Sequence, residues 1–170
     1  HPLMFDTVLV AGLGLMGGSM AKTIKARTLS RVLGWNRTRA TAEQALADGS
    51  IDAIATEALY KEADLVIIGL YPQATVDWLL ENMPKMKKGC VIVDMVGVKQ
   101  FMVDHLEQAA LDAGVHYVGG HPMAGREFSG LDFALPTLFD GASMIFVPTK
   151  SSTERVLEQL EAYFMSLGFG

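Results

Sequence analysis

A glycine-rich turn is the first segment of this chain whose residues could do chemistry. It reads Gly12-Leu13-Gly14-Leu15-Met16-Gly17, follows the apolar run Val8 to Ala11 and precedes a helical pattern. The three glycines permit a tight bend, close approach of a pyrophosphate to the backbone, and close helix packing, in that order. The N–H groups and positive end of the following helix would face the anion. The turn predicts a dinucleotide-binding site contacted by all six residues, and the strand-to-helix context disfavours the alternative of a turn without a ligand.

The end of the predicted second strand bears on which dinucleotide is bound. An acidic residue about twenty residues after the turn would accept hydrogen bonds from the ribose hydroxyls of NAD, and this chain has none there. It reads Asn36-Arg37-Thr38-Arg39. Asn36 and Thr38 can donate hydrogen bonds, and either arginine can pair with a 2′-phosphate. These residues favour NADP over NAD, the alternative being that the arginines lie in a solvated loop and at the start of a helix.

Two further segments are candidates for the second wall of this site. Ligands of open α/β sheets lie outside the carboxyl ends of the strands. Gly69-Leu70-Tyr71-Pro72 leaves the fourth predicted strand, and Asp94-Met95-Val96-Gly97-Val98-Lys99 leaves the fifth. The candidate contacts within them are Leu70, Tyr71, Pro72, Val96 and Gly97. We assign both segments to the cofactor site, although an ordinary strand-to-helix connection would have a similar composition.

A histidine segment is the second place where chemistry is expected. Gly119-Gly120-His121-Pro122-Met123-Ala124-Gly125 places His121 in a loop at the carboxyl end of a predicted strand. Pro122 restricts the backbone of His121, and the glycines on either side permit close approach of a ligand. A neutral imidazole is a natural proton acceptor near physiological pH, so His121 is the candidate catalytic residue. The other histidines are assigned structural or exposed positions: His1, His105 and His116.

The elements that must position these residues follow a regular pattern. Short apolar runs rich in β-branched residues alternate with longer amphipathic segments, as in sheets buried on both faces with crossover helices. Strands are predicted at Thr7 to Ala11, Val32 to Trp35, Leu65 to Leu70, Val91 to Asp94, His116 to Val118 and Met144 to Val147, with a weaker one at Ala53 to Ala55. Helices are predicted at Gly17 to Ala26, Arg39 to Asp48, Gln73 to Asn82, Gln100 to Ala113 and Thr153 to Leu167. We therefore expect one Rossmann-type, doubly wound α/β domain with a mainly parallel sheet over residues 1–170, in which residues 1–5 are a tag remnant or a loose start.

The composition limits the class of partner. Of the 170 residues, 50% are hydrophobic and 19% charged, which is typical of a core-rich globular domain. The formal net charge of -5 argues against a nucleic acid partner. No apolar stretch is long enough to span a bilayer, and the single cysteine, Cys90, cannot form an intramolecular disulfide. We expect a cytoplasmic protein with a small-molecule substrate, without a nucleic acid, membrane or metal partner.

Three segments together resemble a known family. They are the turn extended through Gly18-Ser19, the segment Asp94 to Lys99 and, above all, His121-Pro122-Met123-Ala124-Gly125-Arg126-Glu127-Phe128-Ser129-Gly130. They resemble the prephenate and arogenate dehydrogenases of tyrosine biosynthesis, and the resemblance runs over nearly the whole chain. It implies the nucleotide-binding domain of an enzyme that oxidatively decarboxylates a cyclohexadienyl substrate, prephenate or arogenate, with hydride transfer to NAD(P).

The resemblance also implies roles for individual residues. His121 matches the family histidine that hydrogen-bonds the ring 4-hydroxyl, where it would act as a general base. Gly125, Glu127 and Ser129 match positions on the substrate side. Glu127 matches an acid near the pocket entrance that pairs with an arginine, and its alternative interpretation is an ordinary surface carboxylate.

This chain departs from the family in two respects. Many relatives carry a serine where this chain has Gly97, so a hydroxyl that could support the histidine or the substrate is missing. The family also has a helical second domain that forms the dimer and supplies an arginine for the substrate carboxylate, and the chain finishes at Gly170, where another strand is expected. We therefore expect a homodimer for the full-length protein, and a 170-residue piece that binds cofactor but turns over substrate poorly or not at all.

Two other functions remain open at this point. A different NADP-linked oxidoreductase, of the β-hydroxyacid dehydrogenase or imine reductase type, shares the glycine turn and often an Asn-Arg-Thr element, but lacks the histidine segment. A non-catalytic module that senses NAD(P) would use the turn and leave residues 121–130 without a purpose. The residues of this chain do not discriminate prephenate from arogenate.

Overall fold

A computed structural model describes residues 5–123 and 134–170 of the chain. In these ranges the strands are β1 (Thr7–Ala11), β2 (Arg31–Trp35), β3 (Ala53–Ile54), β4 (Leu65–Ile68), β5 (Val91–Asp94), β6 (His116–Met123) and β7 (Ser143–Val147). The helices are α1 (Leu15–Arg27), α2 (Arg39–Ala47), α3 (Glu57–Tyr60), α4 (Pro72–Asn82), α5 (Lys99–Ala113) and α6 (Glu154–Ser166), with a short 3-10 helix at Met83–Lys85. None of these helices is long and apolar enough to cross a membrane.

The strands form one sheet in the order β3-β2-β1-β4-β5-β6-β7. Strands β1 to β6 pair in parallel, and β7 pairs antiparallel with β6. From β1 the chain proceeds outward through β2 and β3, and then in the opposite direction through β4, β5 and β6. This reversal beside β1 is the switch point of a doubly wound sheet, where a ligand cleft opens at the carboxyl ends of the strands. The predicted Rossmann-type, mainly parallel α/β fold is confirmed.

The sheet is covered on both faces. Alternate residues of a strand point to opposite sides, so Val8 and Val10 of β1 join one core with α1 and α6. Leu9 and Ala11 join a second core with α4 and α5. All four residues of Leu65–Ile68 are fully buried. Burial on both faces explains why these strands are unbroken apolar runs and do not alternate with polar residues.

Helix α6 is anchored at its start and along its inner face. The Thr153 side chain accepts a hydrogen bond from the Val156 N–H and so caps the first turn. Leu160 is fully buried against the sheet. Tyr163 is also buried, and its hydroxyl lies 2.8 Å from Ser30 Oγ, which leaves the phenol with a hydrogen-bond partner.

The largest difference from the predicted elements is in β6. The strand was expected to end at Val118 and continues to Met123. Its last five residues pair with β7, in a register that runs from Gly119 opposite Val147 to Met123 opposite Ser143. Strands β6 and β7 are separated in the sequence and pair only in the folded chain. The residue pattern around β6 therefore could not indicate the extension. The short elements α3 and Met83–Lys85 were also not predicted, and the other ends differ by a few residues.

We expect Leu160→Ala to lower the free energy of unfolding by about 2–4 kcal/mol, because it leaves a cavity in a fully buried position. Met165→Ala on the same helix is the matched control, since Met165 is 70% exposed, and its effect should stay within about 0.5 kcal/mol. Urea unfolding followed by circular dichroism measures both changes. Equal losses in the two variants would contradict the assignment of the buried face of α6.

Candidate active site

The glycine-rich turn connects β1 to α1 at the carboxyl edge of the sheet. Gly12 has a φ of +94°, in the left-handed region that favours glycine. A Cβ on Gly17 would overlap the carbonyl oxygen of Gly12, so the start of α1 packs directly against the turn. A Cβ on Gly14 would meet no described atom within 4 Å. The bend, the open approach and the close packing predicted for the three glycines are all present.

The amino end of α1 borders this open approach. Gly14 is the residue that precedes the helix, and within this fully described helix no side chain caps the end and no acidic residue lies in the first turn. The helix's own residues therefore do not neutralise its positive end. The turn and the helix end fit an anionic group such as a pyrophosphate.

The apolar residues between the glycines support the turn from behind. Leu13 is buried in the core, and its N–H donates to Asn36 Oδ1 over 2.8 Å. Leu15 and Met16 are half-buried against the same core. None of these three, nor Gly17, lines the cavity beside the turn. We therefore expect Leu15 and Met16 to contact a ligand through backbone atoms.

A cavity of about 720 Å³ opens beside the turn, which is in the size range of small-molecule sites. It is bounded by the turn, the end of β2, the connection from β4 to α4, and one face of α4. The lining residues that the sequence predicted are Gly12, Gly14, Asn36, Arg37, Leu70 and Tyr71. Those that it missed are Trp35, Gly69, Ala74, Asp77, Trp78 and Glu81.

The wall formed by α4 has a pattern that is visible in the sequence. Ala74, Asp77, Trp78 and Glu81 have the spacing i, i+3, i+4, i+7 of a single helix face. Trp78 also packs against Trp35, with ring centroids 5.6 Å apart. The spacing could have identified the face, but only the folded sheet shows that it lies opposite the end of β2.

Asn36 braces the turn. Its Oδ1 accepts the hydrogen bond from Leu13, and its Nδ2 donates to the carbonyl oxygen of Thr38 over 3.0 Å. One amide hydrogen remains for a ligand. Thr38 is exposed and does not line the cavity. Arg37 is exposed, lines the cavity, and makes no hydrogen bond or ion pair with any residue in the described part of the chain.

The connection from β4 to α4 forms the opposite rim of the cavity. The Leu70 N–H donates to Thr75 Oγ1 over 3.2 Å, which ends the strand before the predicted boundary. Tyr71 is 87% exposed at the cavity. Pro72 is the first residue of α4, a position that suits its fixed φ, and it does not line the cavity.

At the end of β5 the carboxylate of Asp94 connects several elements. It is fully buried. Its Oδ2 accepts hydrogen bonds from Lys99 Nζ over 2.7 Å and from the Val96 N–H over 2.8 Å. Its Oδ1 accepts from the Tyr117 hydroxyl over 3.0 Å and from the Gly120 N–H over 3.2 Å. Burial and the nearby Asp94 charge raise the pKa of Tyr117 well above its ordinary value, so the phenol stays a donor.

Gly97 follows Val96 in the connection from β5 to α5. Val96 is buried and held by Asp94, whereas Gly97 is exposed. A Cβ on Gly97 would meet no described atom within 4 Å. The position where many relatives are expected to carry serine is therefore sterically open here. Neither residue lines the cavity beside the turn.

His121 lies in β6, which corrects its predicted placement in a loop. It pairs with Ile145 of β7. Strand β5 pairs with β6 only as far as Gly119, so the following residues extend beyond the end of β5. Because Pro122 lies in this extension, its missing N–H leaves no gap in the pairing with β5. His121 is half-buried at the carboxyl edge of the sheet.

The side of the sheet that His121 faces follows from strand alternation. Residues two apart share a face, so His121 shares a face with Gly119 and Tyr117, the face on which Asp94 lies. A Cβ on Gly119 would lie 3.2 Å from Lys99 Cδ. A Cβ on Gly120 would overlap the carbonyl oxygen of Asp94. Gly119 and Gly120 permit close packing of β6 against β5 and Lys99. Their role in the close approach of a ligand stays a prediction.

Three predicted substrate contacts, Gly125, Glu127 and Ser129, lie outside the described residues. The other two described histidines have structural contacts. His105 Nδ1 lies 2.8 Å from the carbonyl oxygen of Phe101, and His116 Nδ1 lies 2.7 Å from that of Ser151. His121 therefore remains the candidate among the described histidines.

Comparison with known proteins decides the family. A family model described as "Prephenate dehydrogenase, nucleotide-binding domain" matches residues 20–169. The chain belongs to this family. Prephenate dehydrogenase of Bacillus subtilis (strain 168) is 37% identical to it over 162 residues, which cover 93% of this chain and 43% of the relative. The chain therefore spans less than half the length of that curated relative.

Solved structures agree with this assignment. Prephenate dehydrogenase from Aquifex aeolicus, in complex with hydroxyphenyl propionate and NAD+, superposes with a TM-score of 0.86 at 25% identity, over 100% of this chain and 60% of that one. Arogenate dehydrogenase from Synechocystis shares the fold, with a TM-score of 0.79 at 23% identity, over 96% and 58%. The chain is an NAD(P)-binding domain of the prephenate dehydrogenase family, and not of the β-hydroxyacid dehydrogenase or imine reductase type considered above.

We expect Asp94→Ala to lower the free energy of unfolding by about 3–5 kcal/mol, because it leaves the Lys99 ammonium unpaired in a mostly buried position. The Lys99 side chain is 17% exposed. The double variant D94A/K99M should recover part of the loss, since no unpaired charge remains. Urea unfolding of the wild type, both single variants and the double variant measures the coupling. Strictly additive losses would show that the pair is not coupled.

Proposed function

We propose that this chain is the cofactor-binding part of a dehydrogenase that oxidatively decarboxylates prephenate or arogenate, with NADP as the preferred dinucleotide. The observation that carries the proposal is the arrangement at the carboxyl edge of the sheet. A glycine cradle and an adjoining cavity lie at the switch point, between the ends of β2, β1 and β4. His121 lies at the same edge of the sheet, further along on β6. Relatives in the family carry this activity in their names.

The residues of this edge fit a dinucleotide. The turn at Gly12 to Gly17 would hold the pyrophosphate, and the cavity with Arg37 would hold the adenosine half. The nicotinamide half would lie toward β5 and β6, near Val96 and Gly97. Strand β6 is three strands from β1, a lateral distance of about 14 Å at the usual strand spacing. This distance supports a ligand that extends from the turn to the side of His121.

Arg37 supports the preference for NADP. It is a cation at the cavity without a partner in the described part of the chain, and a guanidinium pairs well with a phosphate. The residues directly before Arg37 are Gly34, Trp35 and Asn36, and none of them is an acidic residue that would repel a 2′-phosphate.

The chemistry requires an oxidant and a base. When bound, the oxidised dinucleotide accepts the hydrogen and two electrons from the ring carbon that carries the hydroxyl. His121 takes the hydroxyl proton as general base and returns it to the phenolate oxygen after the ring carboxylate has left as carbon dioxide. The network around Asp94 holds β6 and the connection from β5 to α5 in place, and so positions His121.

The remainder of the full-length protein completes the site in this proposal. The match covers 43% of the Bacillus relative, so more than half of that protein's length lies outside the match. A second, helical domain would supply the arginine for the substrate carboxylate and the contacts of a homodimer. A cytoplasmic location would suit a chain whose single cysteine, Cys90, cannot form an intramolecular disulfide. Burial raises the pKa of the Cys90 thiol to about 12.

Cofactor choice is tested by titration of this chain with NADP and NAD. Both tryptophans, Trp35 and Trp78, line the cavity, so intrinsic fluorescence reports binding directly. NADP should bind more tightly than NAD. Arg37→Ala should weaken NADP about tenfold and leave NAD nearly unchanged, since a charge-assisted contact to the 2′-phosphate is lost.

Gly14→Ala is the control for the cradle. Its Cβ has room in the protein but occupies the approach to the turn, so both dinucleotides should bind weakly. The urea concentration at the midpoint of unfolding should be that of the wild type. An equal loss of NADP and NAD in Arg37→Ala would overturn the 2′-phosphate assignment. If the wild type bound neither dinucleotide, the proposed function would be wrong.

The role of His121 is tested in the full-length protein with prephenate and arogenate. His121→Asn should lower kcat by about 10²–10⁴-fold, because the general base is lost, and should leave the dissociation constant of the cofactor unchanged. His105→Asn is the control, since His105 is exposed on α5, and it should behave as the wild type. Wild-type turnover by His121→Asn would exclude His121 as the base.

A further inference from the structure

The α4 wall of the cavity carries two carboxylates that the proposed function does not use. Asp77 and Glu81 lie on the face that lines the cavity, whereas Arg37 lines it from the end of β2. Arg37 is the one cation in the described lining. The cavity therefore has a cationic wall and an acidic wall. A ligand that fits both must offer an anionic group to one side and a hydrogen-bond donor to the other.

Asp77 has the more defined orientation of the two carboxylates. Gln73, one turn earlier on α4, donates from Nε2 to Asp77 Oδ1 over 2.9 Å. This contact, on the exposed face of the helix, engages one oxygen; the other has no hydrogen-bond partner among the described residues and can accept from a ligand. Glu81 is 71% exposed and lies 4.0 Å from Lys85, so it is directed away along the helix.

An adenine base can pair with the Asp77 carboxylate through one group. On the base edge the exocyclic 6-amino group is the hydrogen-bond donor, whereas the ring nitrogens beside it are acceptors. A carboxylate accepts and does not donate, so only the amino group can face Asp77 favourably. A 6-oxo purine has a carbonyl oxygen in place of the amino group, and its nearest donor is the N1–H one ring position away, so this base would have to shift within the cavity to reach the carboxylate.

We infer that Asp77 accepts a hydrogen bond from the 6-amino group of the cofactor's adenine and so makes the cavity select adenine over a 6-oxo purine. The inference rests on the proposed function, because it requires the adenosine half to bind in this cavity. Asp77 is then a specificity residue for the base, as Arg37 is for the 2′ position. The two residues act on different parts of the same nucleoside and can be tested separately.

The test is a fluorescence titration of this chain with NAD, NADP and their hypoxanthine analogues, in which a 6-oxo group replaces the 6-amino group. The wild type should bind each analogue about tenfold more weakly than its adenine parent, as expected for loss of a hydrogen bond to a charged acceptor. In Asp77→Asn the side-chain oxygen stays with Gln73, so the amide N–H groups face the ligand. The preference should then disappear or invert toward the 6-oxo base.

Glu81→Gln is the matched control, because it makes the same charge change on the same face of α4. It should keep the preference of the wild type for adenine. Gln73→Ala should reduce the preference without inverting it, since Asp77 keeps its charge but loses its fixed orientation. Circular dichroism verifies that each variant is folded.

The outcomes separate the inference from the proposed function. If the wild type binds adenine and hypoxanthine dinucleotides equally, the role of Asp77 is wrong and the proposed function is unaffected. The same follows if Glu81→Gln abolishes the preference as fully as Asp77→Asn does. If none of the four dinucleotides binds, the proposed function fails, and the inference fails with it.

Discussion

Helix α1 begins so close to the end of β1 that no side chain fits between them. A Cβ on Gly17 would overlap the carbonyl oxygen of Gly12, and Gly12 itself needs a left-handed φ to make the bend. This contact sets where the amino end of the helix lies, and Asn36 fixes the turn from the other side through the Leu13 N–H. The cradle for an anion, the cavity beside it and the direction of a bound dinucleotide all depend on this packing.

The far side of the site depends on a buried charge. Asp94 accepts four hydrogen bonds, two of them from backbone N–H groups in the connection to α5 and in β6. A carboxylate without these partners would be too costly to bury. Several side chains that line the cavity are by contrast exposed, as with Arg37, Tyr71 and Asp77. Buried contacts such as those of Asp94 therefore fix the backbone at this edge of the sheet, and exposed side chains on that backbone are available to a ligand.

His121 lies beyond the last residue pair between β5 and β6. It lies on an extension of β6 that has left β5 and is held by β7. The extension places the imidazole at the carboxyl edge of the sheet, on the face where Asp94 and Lys99 lie. A strand holds a catalytic side chain more precisely than a loop does, which suits a base that must meet a substrate hydroxyl. In the proposed function this histidine is the general base.

The sequence by itself determined the features that depend on neighbouring residues. The glycine spacing, the apolar runs and the helical periodicity are local, so the turn, six of the seven strands in their approximate places and the five longer helices could be predicted. The weaker prediction at Ala53 to Ala55 was also right, as a two-residue strand. The antiparallel pairing of β6 with β7 that moves His121 out of a loop, the four partners of Asp94, and the placement of Asp77 opposite Arg37 were decided only by the tertiary structure. Each of these brings together residues far apart in the chain, and their contacts leave no periodic trace in the sequence around them.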